Sequence, residues 1–183
     1  MHDQGETLKN RHQNKPRLKD AVILLGHGSR VPEAGKSMEK VAAGLKRKYG
    51  YAVVEVCYLS RLGPHFPEIF EKCVKQRADC VVVIPYFLHE GLHIVLDIPS
   101  MIQKTAARFP NVRVLLGKNL GFDDVLVDLV EKRIIDSKPG CDVREMVLPS
   151  KNKYPVPDGQ YEFVPMAPED AAKYLDFNED DHC

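Results

Sequence analysis

Two histidine-containing loops are the parts of this sequence best suited to chemistry. His27 lies in the run GHGSR (26–30), and a second run, HEGLH (89–93), ends at His93. Glycine neighbours let the backbone turn sharply and leave an imidazole uncovered. A single loop histidine more often makes a structural hydrogen bond. If the fold brings His27 and His93 together, however, converging imidazoles predict a site that binds a divalent metal ion or transfers protons.

The second run also matches H-E-x-x-H, the zinc-ligand pattern of a class of proteases. That pattern needs both histidines one turn apart on a continuous helix. Here His89 directly follows CVVVIPYFL (80–88), a stretch of β-forming residues, and Gly91 lies at the centre of the motif. The next glutamate downstream, where a third ligand would be needed, is Glu131. The sequence therefore argues against a zinc protease.

Further polar residues are candidates for smaller roles. Ser29 and Arg30 precede the first predicted helix, where free backbone N–H groups and a guanidinium could hold a carboxylate or phosphate, although Ser29 could instead cap the helix. Asp97 is interpreted as the cap of a later helix. His65 lies in a predicted surface turn that could reach the same crevice. The terminal residues Asp180–Cys183 could bind metal, but a frayed acidic terminus explains them more simply.

The order of the predicted elements positions the two histidine loops. From Asp20 onward, apolar runs typical of buried strands alternate with amphipathic helical patterns. The predicted strands are 21–26, 52–59, 80–88 and 111–117, and the predicted helices are 38–49, 67–77, 98–109 and 125–134. Strands without a polar face require helices on both faces of the sheet. We therefore predict an α/β, doubly wound, flavodoxin-like fold with a four-stranded parallel sheet in the order 2-1-3-4.

That strand order has a direct consequence for the site. Right-handed crossovers make strands 1 and 3 neighbours and reverse the direction of winding between them. Ligands of such sheets bind at the point of reversal, beyond the carboxyl ends of the strands. The loops that carry His27 and His93 follow strands 1 and 3, so we expect the two side chains to meet there.

Length and composition predict one domain with an extension at each end. A chain of 183 residues allows one core. We divide it into a flexible N-terminal extension (1–19), an α/β domain (20–137) and a proline-rich, acidic C-terminal extension (138–183). No apolar run approaches the roughly 18 residues of a membrane span, and the N-terminus lacks the apolar stretch of a secretory signal. The five cysteines show no C-x-x-C spacing, so the cytoplasm is the expected compartment.

Charge narrows the choice of partners. The chain has 26 basic and 26 acidic residues, so no overall charge favours nucleic acid. Residues 21–140 carry 17 basic and 13 acidic residues, whereas residues 141–183 carry 4 and 10. A mildly basic middle is compatible with an anionic small ligand, although a solvated face is the commoner meaning. No G-x-x-x-x-G-K-[ST] loop is present, so ATP is not expected.

Two longer runs carry a family resemblance. LLGHGSRVPEAG (24–35) and PYFLHEGLHIVLDIP (85–99) resemble segments of the class II sirohydrochlorin chelatases of cobalamin and sirohaem synthesis. The resemblance implies a chelatase-like fold and ATP-independent insertion of Co²⁺, Fe²⁺ or Ni²⁺ into sirohydrochlorin, with His27 and His93 as the catalytic, metal-handling pair. The long form of the family has two homologous halves. Resemblance to the short, single-half form implies a homodimer.

The chemistry of metal insertion suggests further residues around that pair. His89 and Glu90 are candidates for additional metal ligands. The family often has a carboxylate after strand 2, where this chain has Ser60 and Arg61, so no acidic ligand is expected there. Sirohydrochlorin is a polycarboxylate, and a basic middle segment suits it. The candidate substrate-binding residues are Gly28, Ser29, Arg30, Lys36, Arg61, Gly91 and Leu92.

Two other functions remain open at this point. A non-catalytic metal carrier would use the same two histidines together with the acidic tail that contains His182 and Cys183. A flavodoxin-like phosphate or nucleotide binder would use the run GHGSR at the start of a helix.

Two imidazole ligands favour exchange of a metal over its retention, because a structural zinc site uses about four ligands. Imidazole suits Co²⁺, Ni²⁺ and Fe²⁺ alike, so it does not choose the metal.

Overall fold

A four-stranded parallel sheet forms the centre of the molecule. The structure is a computed structural model and describes residues 20–29, 31–60 and 63–148. The strands are β1 (Asp20–Gly26), β2 (Val53–Tyr58), β3 (Cys80–Pro85) and β4 (Arg113–Leu116). Their order is β2-β1-β3-β4, which confirms the predicted topology. The third strand ends at Pro85, three residues before the predicted Leu88.

Helices pack against both faces of the sheet, as expected. The packing helices are α1 (Lys36–Tyr49), α2 (Phe66–Lys75) and α3 (Ile98–Ala106), and a fourth helix, α4, spans Asp124–Ser137. Short 3₁₀ turns cover Pro32–Gly35 and Val143–Glu145, and a π-helical turn covers His93–Asp97 immediately before α3. The π turn was not predicted. It lengthens the helix that follows β3 toward the carboxyl edge of the sheet.

The continuous apolar run of β1 supplies both layers of the core. Side chains alternate between the faces of a strand, so Val22 and Leu24 pack with Met38 and Ala42 of α1. Ile23 and Leu25 face the other way, into the larger cluster formed with α2 and α3. Every residue of Ala21–Leu25 is buried, which is why this strand shows no polar alternation.

Helix α4 forms where it was predicted but does not cover the sheet. It has no extensive packing against another element in the described part of the chain. Val125 and Val130 are 70% and 57% exposed, and Leu115 and Leu116 of the edge strand β4 are also exposed. The expected helices on both faces of the sheet are thus supplied by α1, α2 and α3, whose apolar residues form the two core clusters.

The chain divides into two compact units, Met1–Glu145 and Met146–Cys183. Only residues 146–148 of the second unit are among those described. Most of both expected extensions, 1–19 and 138–183, therefore lies outside the described residues, and the predicted domain limits stay predictions. No described helix has the length and apolar character needed to cross a lipid bilayer.

Candidate functional site

The two histidines singled out from the sequence lie side by side. His27 is the first residue after β1, and His93 opens the π turn that follows β3. Because β1 and β3 are parallel neighbours, their carboxyl ends share one edge of the sheet. The ring centroids of His27 and His93 are 5.5 Å apart, and the ring planes are inclined at 61°. The crossover topology thus converts two loops, distant in sequence, into one pair of imidazoles.

The separation of the rings can be compared with that of two ligands on one metal ion. With a metal–nitrogen bond of about 2.1 Å and a ring radius of about 1.1 Å, two imidazoles on a tetrahedral ion have centroids about 5 Å apart. The observed 5.5 Å is close to that value. The pair can therefore share one ion after small side-chain movements.

The loop that carries His27 is fastened to the end of β2. The N–H and hydroxyl groups of Ser60 both donate to the His27 carbonyl oxygen, at 2.9 and 3.0 Å. Gly28 has a φ of +97°, and a Cβ atom there would lie 1.9 Å from the Ser60 carbonyl oxygen. Only glycine allows this approach. The His27 Nδ1 atom lies 3.3 Å from the Gly28 carbonyl oxygen, a contact that leaves Nε2 for a ligand.

His93 is held by a residue whose predicted role is wrong. The Nδ1 atom of His93 lies 2.6 Å from Oδ2 of Asp97, one helical turn further along the chain. Asp97 was expected to cap the following helix, but its backbone is already helical (φ −71°, ψ −45°) and its side chain makes no capping bond. The π turn continues directly into α3, so the helix has no start at this position for Asp97 to cap. The spacing of four residues between a histidine and an acid was the available signal.

A cavity of about 350 Å³ opens beside His27, on the face of the sheet that α1 covers. Its wall includes Ser29, Met38, Tyr58 and Tyr86. Burial first, and then the nearby Glu39 and Cys57 side chains, raise the pKa of Tyr58 above its ordinary value. Neither tyrosine was singled out from the sequence, because both resemble ordinary strand residues.

The other candidate ligands are not gathered around the pair. His89 and Glu90 lie in an exposed loop between β3 and the π turn. Within the described ranges, no group of three or more histidine, cysteine, aspartate or glutamate side chains could hold a metal ion. The structure thus assembles a two-imidazole site, and a ligand role for His89 or Glu90 stays a prediction.

The candidate substrate-binding residues surround the pair unevenly. Gly91 and Leu92 precede His93, and the Leu92 side chain is 73% exposed. Ser29 accepts a hydrogen bond from the Val31 N–H at 3.0 Å, so its hydroxyl orders the loop and does not cap α1. Lys36 is exposed and forms an ion pair with Glu33. Arg30 and Arg61 lie outside the described residues, as do the terminal Asp180–Cys183.

His65 has a structural partner. It directly precedes α2, and its Nδ1 atom lies 3.2 Å from the Tyr58 carbonyl oxygen. Its backbone N–H donates to Glu68 in the first turn of α2, at 3.5 Å. These contacts join the end of β2 to the start of the helix. His65 is thus the turn histidine expected from the sequence.

Comparison with known proteins adds a family and several relatives. The family described as CbiX matches residues 21–137. A sirohydrochlorin ferrochelatase of Priestia megaterium is 34% identical over 129 residues, which are 70% of this chain and 48% of that protein. A sirohydrochlorin cobaltochelatase of the same organism is 28% identical over 140 residues, covering 76% of this chain and 44% of that protein.

A solved structure shares the fold. The sirohydrochlorin chelatase SirB from Bacillus subtilis subspecies spizizenii, in complex with cobalt, superimposes with a TM-score of 0.60 at 36% identity. The match covers 64% of this chain and 50% of that one. The chain therefore spans about half the length of the relatives it matches here.

Proposed function

The chain belongs to the CbiX family, and we propose that it inserts a divalent metal ion, Co²⁺ or Fe²⁺, into sirohydrochlorin without ATP. Relatives named ferrochelatase and cobaltochelatase support this reaction class. The observation that carries the proposal is the His27–His93 pair, with ring centroids 5.5 Å apart at the carboxyl edge of the sheet. Ni²⁺ remains a further candidate ion, since imidazole does not discriminate among these metals.

The chemistry of insertion suits two neutral imidazoles. The incoming ion must be held and then released, and the macrocycle must lose two pyrrole protons as its nitrogens bind the metal. One imidazole nitrogen of each histidine binds the ion through its lone pair. When the metal passes to the macrocycle, that nitrogen becomes free to accept a proton. A site with two protein ligands releases its ion more readily than a closed four-ligand site.

Residues around the pair recognise the substrate in this proposal. Gly91, which has open space around its missing Cβ atom, leaves backbone uncovered beside His93, so a flat macrocycle can approach closely. Leu92, largely exposed, contacts the apolar face of the ring system. The candidates for binding its carboxylates are Ser29, Arg30, Lys36 and Arg61. A guanidinium forms paired hydrogen bonds to a carboxylate, which makes the two arginines the stronger candidates.

We include a second copy of the chain as a partner. The exposed apolar side chains of α4 and β4 support this part of the proposal, because monomers seldom leave such a large apolar patch in water. The matched region covers about half of each of these relatives, and a second copy would supply a counterpart to the half that is not covered. No nucleic acid or membrane partner is proposed. A cytoplasmic location stays a prediction from the cysteine pattern.

Incubation with sirohydrochlorin and Co²⁺ or Fe²⁺, followed by visible absorbance, tests the function. Metal insertion changes the visible spectrum of the macrocycle, and this change should be faster with the protein than in the uncatalysed reaction. A metal carrier would bind the ion without accelerating that change, and a nucleotide binder would do neither. Either of these results contradicts the proposed function.

A further inference from the structure

We propose that Asp97 is a positioning residue, which holds His93 in the tautomer whose Nε2 lone pair faces the incoming metal ion. The inference rests on the proposed function, in which His93 binds that ion. The Asp97 carboxylate lies 2.6 Å from Nδ1 of His93, a short distance typical of a charge-assisted hydrogen bond.

The partner of Nδ1 determines where the ring hydrogen is. An ionised carboxylate accepts hydrogen bonds and has no hydrogen to donate. The Nδ1 atom of His93 must therefore carry the hydrogen, and a neutral ring then has its lone pair on Nε2. Carboxylates that accept from the second nitrogen of a metal-binding imidazole fix its tautomer and orientation and raise its basicity.

Stability alone does not account for this contact. The side chains of His93 and Asp97 are 52% and 57% exposed. Exposed ion pairs contribute roughly 0 to 1 kcal/mol to folding, because water screens them and ordering two side chains costs entropy. We therefore assign this exposed pair, which lies at a candidate metal site, a role in setting the tautomer and orientation of the His93 ring.

The contact lies within the π turn. The Ile98 N–H donates to the His93 carbonyl oxygen, five residues back, which widens the helix at this point. Side chains four positions apart lie on the same side of a helical turn, so the two groups can meet. Such π-helical turns occur frequently at functional sites.

The two histidines of the pair receive unequal support. Among the described residues, the partner of the His27 Nδ1 atom is a backbone carbonyl oxygen, that of Gly28, at the longer distance of 3.3 Å. A neutral acceptor at that distance restrains a tautomer more weakly than a carboxylate at 2.6 Å. Loss of Asp97 should therefore change His93 and leave His27 nearly unaffected.

Nitrogen NMR of the metal-free, ¹⁵N-labelled full chain tests the inference without any activity. At a pH where imidazole is neutral, the wild-type protein should show His93 as the Nδ1–H tautomer. In Asp97→Ala the His93 signals should move toward those of the Nε2–H form while the His27 signals stay in place. Glu71→Gln is the control, since it removes one negative charge from another exposed pair of residues four apart, Glu71–Lys75.

Titration with Co²⁺ provides the second measurement. The dissociation constant should rise about 10- to 100-fold in Asp97→Ala and remain unchanged in Glu71→Gln. Asp97→Leu, which keeps a side chain of similar size but has no hydrogen-bond acceptor, replaces the alanine variant if that variant does not fold. Unchanged His93 tautomer and unchanged Co²⁺ affinity in a folded Asp97 variant would overturn the inference.

The two proposals can fail separately. If the wild-type protein inserts no metal but Asp97→Ala still shifts the tautomer and weakens Co²⁺ binding, the proposed function is wrong and the role of Asp97 stands. If insertion proceeds normally and neither measurement changes, the role of Asp97 alone is wrong.

Discussion

His27 and His93 are exposed side chains on loops, and each makes little contribution to the core. Truncation of such residues removes chemistry without leaving a cavity, in contrast to truncation of a buried leucine or phenylalanine. Effects on the rate of insertion can therefore be separated from effects on folding. The neighbouring His89 is exposed too and lies in the same loop region, which makes it a matched comparison.

We predict that His27→Ala and His93→Ala each lower the rate of metal insertion by roughly 100-fold or more, since each removes a metal ligand and a proton acceptor. His89→Ala should cost much less. Initial rates from visible absorbance, corrected for the spontaneous reaction, give the comparison, and thermal unfolding confirms that the variants are folded. A near-normal rate in the double variant would show that this crevice is not the active site.

The buried thiols give a prediction about alkaline stability. Burial, followed by the nearby charge of Glu55, raises the pKa of Cys73 from 9.0 to about 11, and burial raises the pKa of Cys57 as well. Above pH 9 the unfolded chain loses these protons while the folded protein keeps them, so the free energy of unfolding should fall between pH 9 and 11.

Urea unfolding under reducing conditions, measured at several pH values, checks this. Cys73→Ala should show a shallower fall over that range than the wild-type protein. Cys141→Ala, which changes an exposed thiol, should follow the wild-type slope. Equal slopes in all three proteins would contradict the assignment.

At the scale of elements, the β1–α1 loop positions His27 through a close approach of two backbones. Gly28 combines a φ of +97° with a would-be Cβ contact of 1.9 Å to the Ser60 carbonyl oxygen. Gly50, at the end of α1, has a φ of +75° in open space. Gly44 lies within α1, also in open space and without a positive φ. Substitution of the three glycines therefore tests three different effects: steric conflict at Gly28, backbone strain at Gly50 and helix propensity at Gly44.

We predict that Gly28→Ala is the most damaging of the three substitutions, for both stability and insertion rate. Gly50→Ala should destabilise the protein by about 1 kcal/mol through strain alone. Gly44→Ala should stabilise it by roughly 0.5 to 1 kcal/mol, since alanine favours a helix interior. Urea unfolding gives the free energy of unfolding of each variant. If Gly28→Ala costs no more than Gly50→Ala, the loop rearranges freely around residue 28 and the prediction is wrong.

At the scale of the whole molecule, α4 is the element without a place in the core. Three consecutive residues of α4, 125–127, are apolar. The apolar surface therefore extends further around the helix than the single stripe of a helix with one buried face. The remaining apolar positions are Leu129, Val130, Ile134 and Ile135. A helix of this kind is stable in water when it is covered from more than one side, which a second copy of the chain would provide.

We predict that Val130→Glu weakens self-association by at least about tenfold, because burial of one such side chain contributes roughly 1.5 to 3 kcal/mol. Val41→Glu on α1, another exposed valine, should leave it unchanged. Sedimentation over a range of protein concentrations gives the association constant. A wild-type chain that remains monomeric at every concentration rules out the second copy.

The sequence alone determined the sheet and the placement of the two histidines within it. Buried strands such as Ala21–Leu25 have a recognisable pattern, and right-handed crossovers leave few strand orders. Once the order was known, His27 and His93 had to follow neighbouring strand ends. Local residue types and a topological rule were sufficient, because neither depends on how side chains pack.

The tertiary structure decided what depends on packing and on turn type. Asp97 was expected to cap a helix, but a π turn continues through it and directs its carboxylate to His93. Tyr58 has the sequence pattern of an ordinary strand residue, and only the folded chain shows that it lines the cavity beside His27. The spacing of apolar residues in α4 predicted a helix but not its packing partner, because an apolar face indicates that a partner is needed without identifying it. Contacts between elements distant in sequence have no local signal, so these features appear only in the folded chain.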